Sequence, residues 1–398
     1  LILFLLGAVL ASFLNLAIYR LALNSRPVSP WSRAPQGLAP RGWLDRLPIL
    51  GWLRLRREES HWGKHFWVRP LVIECFFGAG IATLYWHEVY RTAAVNAFTI
   101  FIQPVTTLGP WYTPLSESYL HGLFWGQFIL IALMVIATFI DIDEQTIPDS
   151  LTIPGTLIGL ILCAFNPWSL PPDVYSQVSF SGQNYINFMH FSAPGFWRSN
   201  MDGSPFWPPL WFGLGCFWFW CFAIMPRFWR LRYGLRRATR YFLASLLRTS
   251  WTWIVLAITV LGSLAIVWLW WQGGAHWAGL LSSLTGMAFG TGLVWAIRLV
   301  GSVVMRREAM GFGDVTLMAM IGSFLGWQAT LLAFFLAPFT AIVFVVIKLI
   351  FGRDNVLPFG PFLCQGTLLM MVFWTTIWDR VAPYFDQQFH LILLLLAT

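Results

Sequence analysis

Charge is what this chain has least of. Only 11% of its 398 residues are Asp, Glu, Lys or Arg, less than half of the about 25% usual in a soluble domain. With 58% hydrophobic residues and a mean hydropathy of +0.66, that scarcity excludes a solvated globular protein and predicts a chain that crosses a bilayer several times. Cysteine is scarce as well. Cys75, Cys163, Cys216, Cys221 and Cys364 form no Cys-x-x-Cys pair, so no metal framework is expected. Nearly all lie in apolar runs, where a thiol is a small buried hydrophobe. Acids are the rarer charge, 17 against 25 Lys and Arg. The net charge of +8 does not argue for a nucleic-acid partner, because the basic residues gather between apolar runs, where they fix membrane orientation.

The apolar runs predict an all-α fold, a polytopic membrane bundle of about eight to ten spans. The first, residues 1–21, lacks a basic leader region and a clear small-residue cleavage site, so it reads as a retained span rather than a signal peptide. Further runs lie near residues 70–86, 120–140, 150–165, 210–225, 251–271, 277–305, 329–350 and 362–378. The loop 22–69 carries Arg26, Arg33, Arg41, Arg46, Arg54, Arg56, Arg57, Lys64 and Arg69 against Asp45, Glu58 and Glu59, which puts it in the cytoplasm. The loops 87–119 and 166–209 are then outside. The arginine-rich segment 226–248 is inside, read as an amphipathic surface helix with membrane lipid as partner. The 25 tryptophans fall largely near span ends and in polar insertions and read as interfacial belts.

Against so little charge, one stretch stands out. Asp141, Asp143, Glu144 and Asp149 fall between two apolar runs. Asp149 follows Pro148 and precedes an apolar helix, the position of an N-cap. Asp143 and Glu144 read as solvated or supporting. Asp141 directly follows "LIALMVIATFI" and so sits closest to the hydrocarbon. A second acid, Asp314, closes Gly311-Phe312-Gly313-Asp314 at the start of a short apolar helix, where the glycines permit a tight turn or a close helix approach. Both aspartates are expected at cytoplasmic span ends. Two neighbouring carboxylates do not both ionise easily, so one keeps a proton while the other can take one from water. A proton-conducting transporter would place its acids at mid-span instead.

Several segments, in order, resemble the type IV prepilin peptidases, membrane aspartic proteases with a Gly-x-Gly-Asp motif. They are Gly7-Ala-Val-Leu-Ala-Ser12-Phe13-Leu14-Asn15, Leu47-Pro48-Ile-Leu-Gly51-Trp52, Val68-Arg69-Pro70-Leu71-Val72-Ile73-Glu74, Ile140-Asp141-Ile-Asp143 through Ile147-Pro148-Asp149, Glu308-Ala-Met310-Gly311-Phe-Gly313-Asp314, Gly322 through Gly326-Trp327, and Pro358-Phe359-Gly360-Pro361. They span roughly residues 1–90, 120–165 and 277–378. The resemblance implies an endopeptidase at the cytoplasmic face of the bacterial inner membrane. It would cut the basic leader from a prepilin or pseudopilin whose apolar helix docks against the spans. It also implies Asp141 and Asp314 as catalytic residues, supported by Gly311, Gly313, Asp143, Pro148, Asp149 and Glu308. Proteolysis needs no cofactor, and S-adenosylmethionine serves only if the family's second activity, N-methylation of the new N-terminus, is retained.

The chain departs from the family pattern in three ways. Many members carry two Cys-x-x-Cys pairs in the first cytoplasmic loop, where this chain has Trp31-Ser-Arg-Ala-Pro-Gln36 and Arg57-Glu-Glu-Ser-His61. Zinc is therefore not expected, His61 and His65 read as surface residues, and methylation is in question. Thr316 stands where a lysine often follows Gly-x-Gly-Asp-Val. Residues 166–276 have no counterpart in the resemblance and read as an insertion with two further spans. The alternative is a non-catalytic membrane protein of pilus or secretion assembly derived from this family; the intact aspartates and glycines argue against it.

Overall fold

The computed structural model describes residues 1–23, 28–35, 37–91, 117–173, 187–194, 197, 201–225, 249–306, 310–351 and 358–397. The helices there are α1 (Ile2–Leu21), α2 (Leu50–Leu55), α3 (Glu59–Trp62), α4 (Val68–Tyr85), α5 (Glu117–Glu144), α6 (Asp149–Phe165), α7 (Pro208–Ala223), α8 (Ser250–Gln272), α9 (Gly274–Met305), α10 (Phe312–Phe351), α11 (Gly360–Val372) and α12 (Trp374–Ala397). Strand pairing among the described residues is one short antiparallel ladder, Pro172–Asp173 with Asn187–Phe188. The architecture is all-α. The segment 226–248, most of the loop 87–119 and Glu308 lie outside the described residues.

Among the described residues six helices are long and apolar enough to cross a bilayer: α1, Val68–Val89, Leu120–Glu144, α8, α9 and Phe312–Val346. Gly360–Val372 and Trp374–Phe385, taken as one broken span, give up to a seventh. The protein is an integral membrane protein. Two of the runs read as spans, α6 and α7, have 17 and 16 residues and rise about 25 Å at 1.5 Å per residue, the short end of what crosses a bilayer.

The described chain forms two compact units, one from Leu1–Gly155 with Phe334–Val372, the other from Thr156–Tyr175, Asn187–Ala333 and Phe373–Thr398. In the first, α1 and α4 touch backbone to backbone. A Cβ on Gly7 would come within 2.8 Å of the Gly78 Cα, and one on Gly78 within 2.8 Å of the Phe4 carbonyl oxygen, the close approach that small residues permit between spans. Glu74 of α4 is fully buried, 0% exposed. Its carboxylate accepts hydrogen bonds from Ser12 Oγ (2.6 Å), Asn15 Nδ2 (3.4 Å), Trp52 Nε1 (2.8 Å) and the Ile49 N–H. Ile49 has a φ of 65°, a conformation costly for a β-branched residue, and the Glu74 contact holds it there. Phe77 and Tyr85 of α4 meet Phe128 and Phe124 of α5.

The loop between α1 and α4 is a folded module. Val28, Trp52 and Leu55 form its core with Tyr19, Trp62, Phe66, Trp67 and Leu71 around them. Its three acids are all engaged: Glu58 by a two-armed pair with Arg41 and by Trp62 Nε1, Asp45 by Arg54 (2.9 Å), Arg57 (2.8 Å) and the Gly42 N–H, and Glu59 by Trp67 Nε1 (2.6 Å). Burial alone would raise the Asp45 and Glu58 carboxyls. The arginine hydrogen bonds and charges, with the Gly42 N–H at Asp45 and the Trp62 indole at Glu58, outweigh it and hold both below their ordinary values. Arg57 and Glu58, in the stretch where the resemblance would place a cysteine pair, are already engaged in ion pairs, so these residues do not fit a zinc site.

In the second unit the tightest helix contact joins α9 to the first part of α10. A Cβ on Gly286 would overlap the Gly322 carbonyl and the Gly326 backbone, and one on Gly322 would overlap the Gly286 carbonyl. At Gly326 the backbone leaves the helical range (φ 77°, ψ 171°), which breaks α10 where the sequence reads "Gly-Trp-Gln". Indole N–H groups tie loops to helices here. Trp327 donates to the Phe191 carbonyl (2.7 Å), Trp277 to Met201 (2.9 Å), Trp374 to Pro172 (2.7 Å) and Trp378 to Asp173 Oδ1 (2.9 Å). Gln328 Nε2 donates to the carbonyls of His190 and Ala193, each at 3.0 Å. Trp52, Trp220, Trp270, Trp277 and Trp378 are fully buried. The tryptophans read as interfacial belts therefore include internal donors, because an indole can fill a core and satisfy a loop carbonyl at once.

Candidate active site

Asp141 lies in the last turn of α5. The helix stops at Gln145, which turns left-handed (φ 54°) and donates its N–H to the Asp141 carbonyl at 2.8 Å, a helix-ending geometry more often taken by glycine. The Asp141 side chain is buried, 4% exposed, and its Oδ2 accepts the Gly360 N–H at 3.1 Å. Gly360 is the first residue of α11, so the electropositive end of a helix faces the carboxylate. A Cβ on Gly360 would lie 2.5 Å from that oxygen and 2.8 Å from Ile147 Cδ1. Only glycine permits this approach.

The acids beside Asp141 have partners. Arg69 of α4 donates to both Asp143 carboxylate oxygens at 2.7 Å and to the Phe139 carbonyl at 3.1 Å. Its guanidinium lies 4.7 Å from the Phe139 ring centroid. Glu144 Oε2 accepts the Leu23 N–H at 2.6 Å. Asp143 and Glu144 thus tether the end of α5 to the flanks of α1 and α4. Asp149 is exposed and is the first helical residue of α6, while the Pro148 carbonyl accepts the Leu151 (3.0 Å) and Thr152 (3.3 Å) N–H groups. Asp149 therefore complements the helix dipole from inside the first turn.

Asp314, in the second unit, is buried, 7% exposed, in the first turn of α10. Behind it Val315 and every residue from Leu317 to Ile321 are fully buried. A Cβ on Gly311 would meet Asp314 Oδ2 at 3.7 Å, an ordinary contact. Thr316 Oγ1 donates to the Gly313 carbonyl at 3.1 Å. Arg298 of α9 donates from Nε to the Met310 carbonyl at 2.9 Å, with its guanidinium 5.7 Å from the Phe312 ring centroid.

Sequence reasoning missed the parts played by Gly360 and Arg69 around Asp141, and by Arg298 at the chain before Asp314. Gly360 was visible only as part of Pro358-Phe359-Gly360-Pro361. One pocket, of about 420 Å³, is lined by Tyr19, Val28, Trp62, His65, Phe66 and Arg69.

Comparison with known proteins bears on both aspartates. The model of the type IV leader peptidase family matches residues 128–225 and 248–346, and that of the bacterial peptidase A24 N-terminal domain matches residues 5–88. The first runs through much of the region set apart above as an insertion and is interrupted only at 226–247. Proteins named prepilin leader peptidase/N-methyltransferase are similar. The one from Myxococcus xanthus is 29% identical over 40% of this chain and 39% of its own length. That from Pseudomonas aeruginosa is 31% identical over 28% and 44%, and that from Klebsiella pneumoniae 28% identical over 40% and 59%. The chain thus spans between 39% and 59% of the length of these relatives. No solved structure matches it.

Proposed function

The chain belongs to the type IV leader peptidase family, and from that premise we propose that it is a membrane aspartic endopeptidase that removes the basic leader of a prepilin or pseudopilin at the cytoplasmic face of the bacterial inner membrane. Asp141 and Asp314 are its carboxylate pair. The ionised member takes a proton from water, whose oxygen attacks the scissile carbonyl carbon. The protonated member gives its proton to the amide nitrogen as the C–N bond breaks. The observation that carries this reading is the burial of an aspartate at a helix end in each family-matched half of a chain with only 17 acids. The substrate's apolar helix docks among the spans while its basic leader stays in water. The test is co-expression with a pilin-like precursor. Asp141→Asn and Asp314→Asn should each reduce processing by about 10²–10⁴-fold, the weight of an acid–base group, with the protein still in the membrane. Continued cleavage by either variant would overturn the assignment.

The relatives' names also carry N-methylation. The feature favouring it is the pocket beside Arg69, whose volume of about 420 Å³ falls in the ligand range. Tyr19, Trp62 and Phe66 offer stacking faces for an adenosine group. S-adenosylmethionine, when bound, would supply the methyl group. Mass spectrometry of the mature substrate decides: one methylene increment on the new N-terminus supports this activity, and its absence excludes it.

A further inference from the structure

We infer that Arg69 and Arg298 are matched positioning residues, one for each aspartate; the inference rests on the peptidase reading above. Each comes from an earlier helix of the aspartate's own unit, Arg69 from α4 and Arg298 from α9. Each donates to a backbone carbonyl at the aspartate-bearing helix end, Arg69 to Phe139 at 3.1 Å and Arg298 to Met310 at 2.9 Å. Each lays its guanidinium against a phenylalanine, Phe139 at 4.7 Å and Phe312 at 5.7 Å. In both cases that phenylalanine stands two residues before the aspartate, Phe139 before Asp141 and Phe312 before Asp314. The two grips lie in separate units and use the same chemistry.

Helix ends leave backbone groups without intrahelical partners and fray, whereas a carboxylate working on a bound peptide must be held to within about 0.5 Å. Guanidinium suits the task because its edge donates while its flat face covers a ring, which an ammonium cannot do in the same way. At Asp141 the grip is extended by Arg69 Nη1, which donates to both Asp143 oxygens, so Arg69 fixes the chain on both sides of the aspartate. At Asp314 the gripped carbonyl precedes the helix, so Arg298 fixes its entry. A bland role for either cation, as an orientation charge at a span end, makes a different demand: lysine would serve equally well.

The experiment uses the full chain in membranes with a precursor peptide, and reads kcat and KM separately. For Arg69→Lys and Arg298→Lys, which keep the charge, kcat should fall about tenfold or more, within the range seen for misplaced catalytic groups. KM and thermal melting should stay as in wild type. Phe139→Leu and Phe312→Leu keep the cation and the apolar volume and should lose several-fold in kcat; they decide the matter if a lysine variant fails to reach the membrane. Wild-type kcat in the lysine variants, or in the leucine variants in that event, would overturn the inference. Failure of the peptidase reading looks different: cleavage would then survive Asp141→Asn, whatever the arginine variants do.

Discussion

Asp141 closes a helix and Asp314 opens one, and their surroundings differ accordingly. The first is bounded by polar tethers: the Gly360 N–H, the Arg69–Asp143 pair, and the Leu23 N–H on Glu144. Through α1 and α4 these connect to a loop module whose acids are all paired. The second stands before a run of fully buried apolar side chains on a helix seated glycine to glycine against α9. Around Asp141 the described contacts are mainly directed hydrogen bonds, while around Asp314 close packing is added to the Arg298–Met310 bond. Directed contacts fail when a donor or a proton is changed; packed contacts fail when volume is changed.

The sharpest break of this comparison is Gly360→Ala. The added methyl group would collide with Asp141 Oδ2, 2.5 Å away. A displacement of about 1 Å can cost roughly 10²-fold in rate, so precursor processing should fall by about that factor. Unaltered processing would mean that this hydrogen bond does not set the position of Asp141. In the packed unit, Gly286→Val should lower stability by about 1–3 kcal/mol, the usual cost of overpacking, seen as an earlier thermal melt in detergent. Glu74→Gln leaves four former donors facing an amide that must place its own N–H groups among them. A cost of about 1–3 kcal/mol, confined to the first unit and read as faster proteolysis of the loop module, sharpens the contrast. Equal protection of that loop in the variant and wild type would remove Glu74 as its anchor.

The smallest effect is a pH dependence of the loop module. The Asp45 and Glu58 carboxyls are held below their ordinary values of 3.8 and 4.5. Their contribution to stability is complete above those values and fades as pH falls below them through the folded-state values. Limited proteolysis of the loop module should therefore increase as pH falls below those values. In Asp45→Asn that acid sensitivity should shrink, and an unchanged profile would refute the linkage.

Much of the fold and half of the site could be read from the residues alone. Asp141 and Asp314 each interrupt an apolar pattern, so their burial at helix ends follows from position. "Gly-Trp-Gln" at 326–328 likewise marked the break in α10. What stayed hidden depends on distant partners. Gly360 lies 219 positions from Asp141, and a glycine between Phe359 and Pro361 is indistinguishable from an ordinary helix start. Arg69 is 74 positions from Asp143 and looks like any orientation charge. Glu74 is one acid in an apolar helix, with partners on α1 and in the loop that no periodicity reveals. Tryptophan is ambiguous by nature, since the same ring suits a membrane interface or a buried loop carbonyl.

Among the described residues the chain passes from one unit to the other inside α6, between Gly155 and Thr156, inside α10, between Ala333 and Phe334, and between α11 and α12, at Val372 and Phe373. Neither unit is therefore encoded by a contiguous stretch of gene. A single crossover anywhere within Thr156–Ala333 would separate fragments of both units.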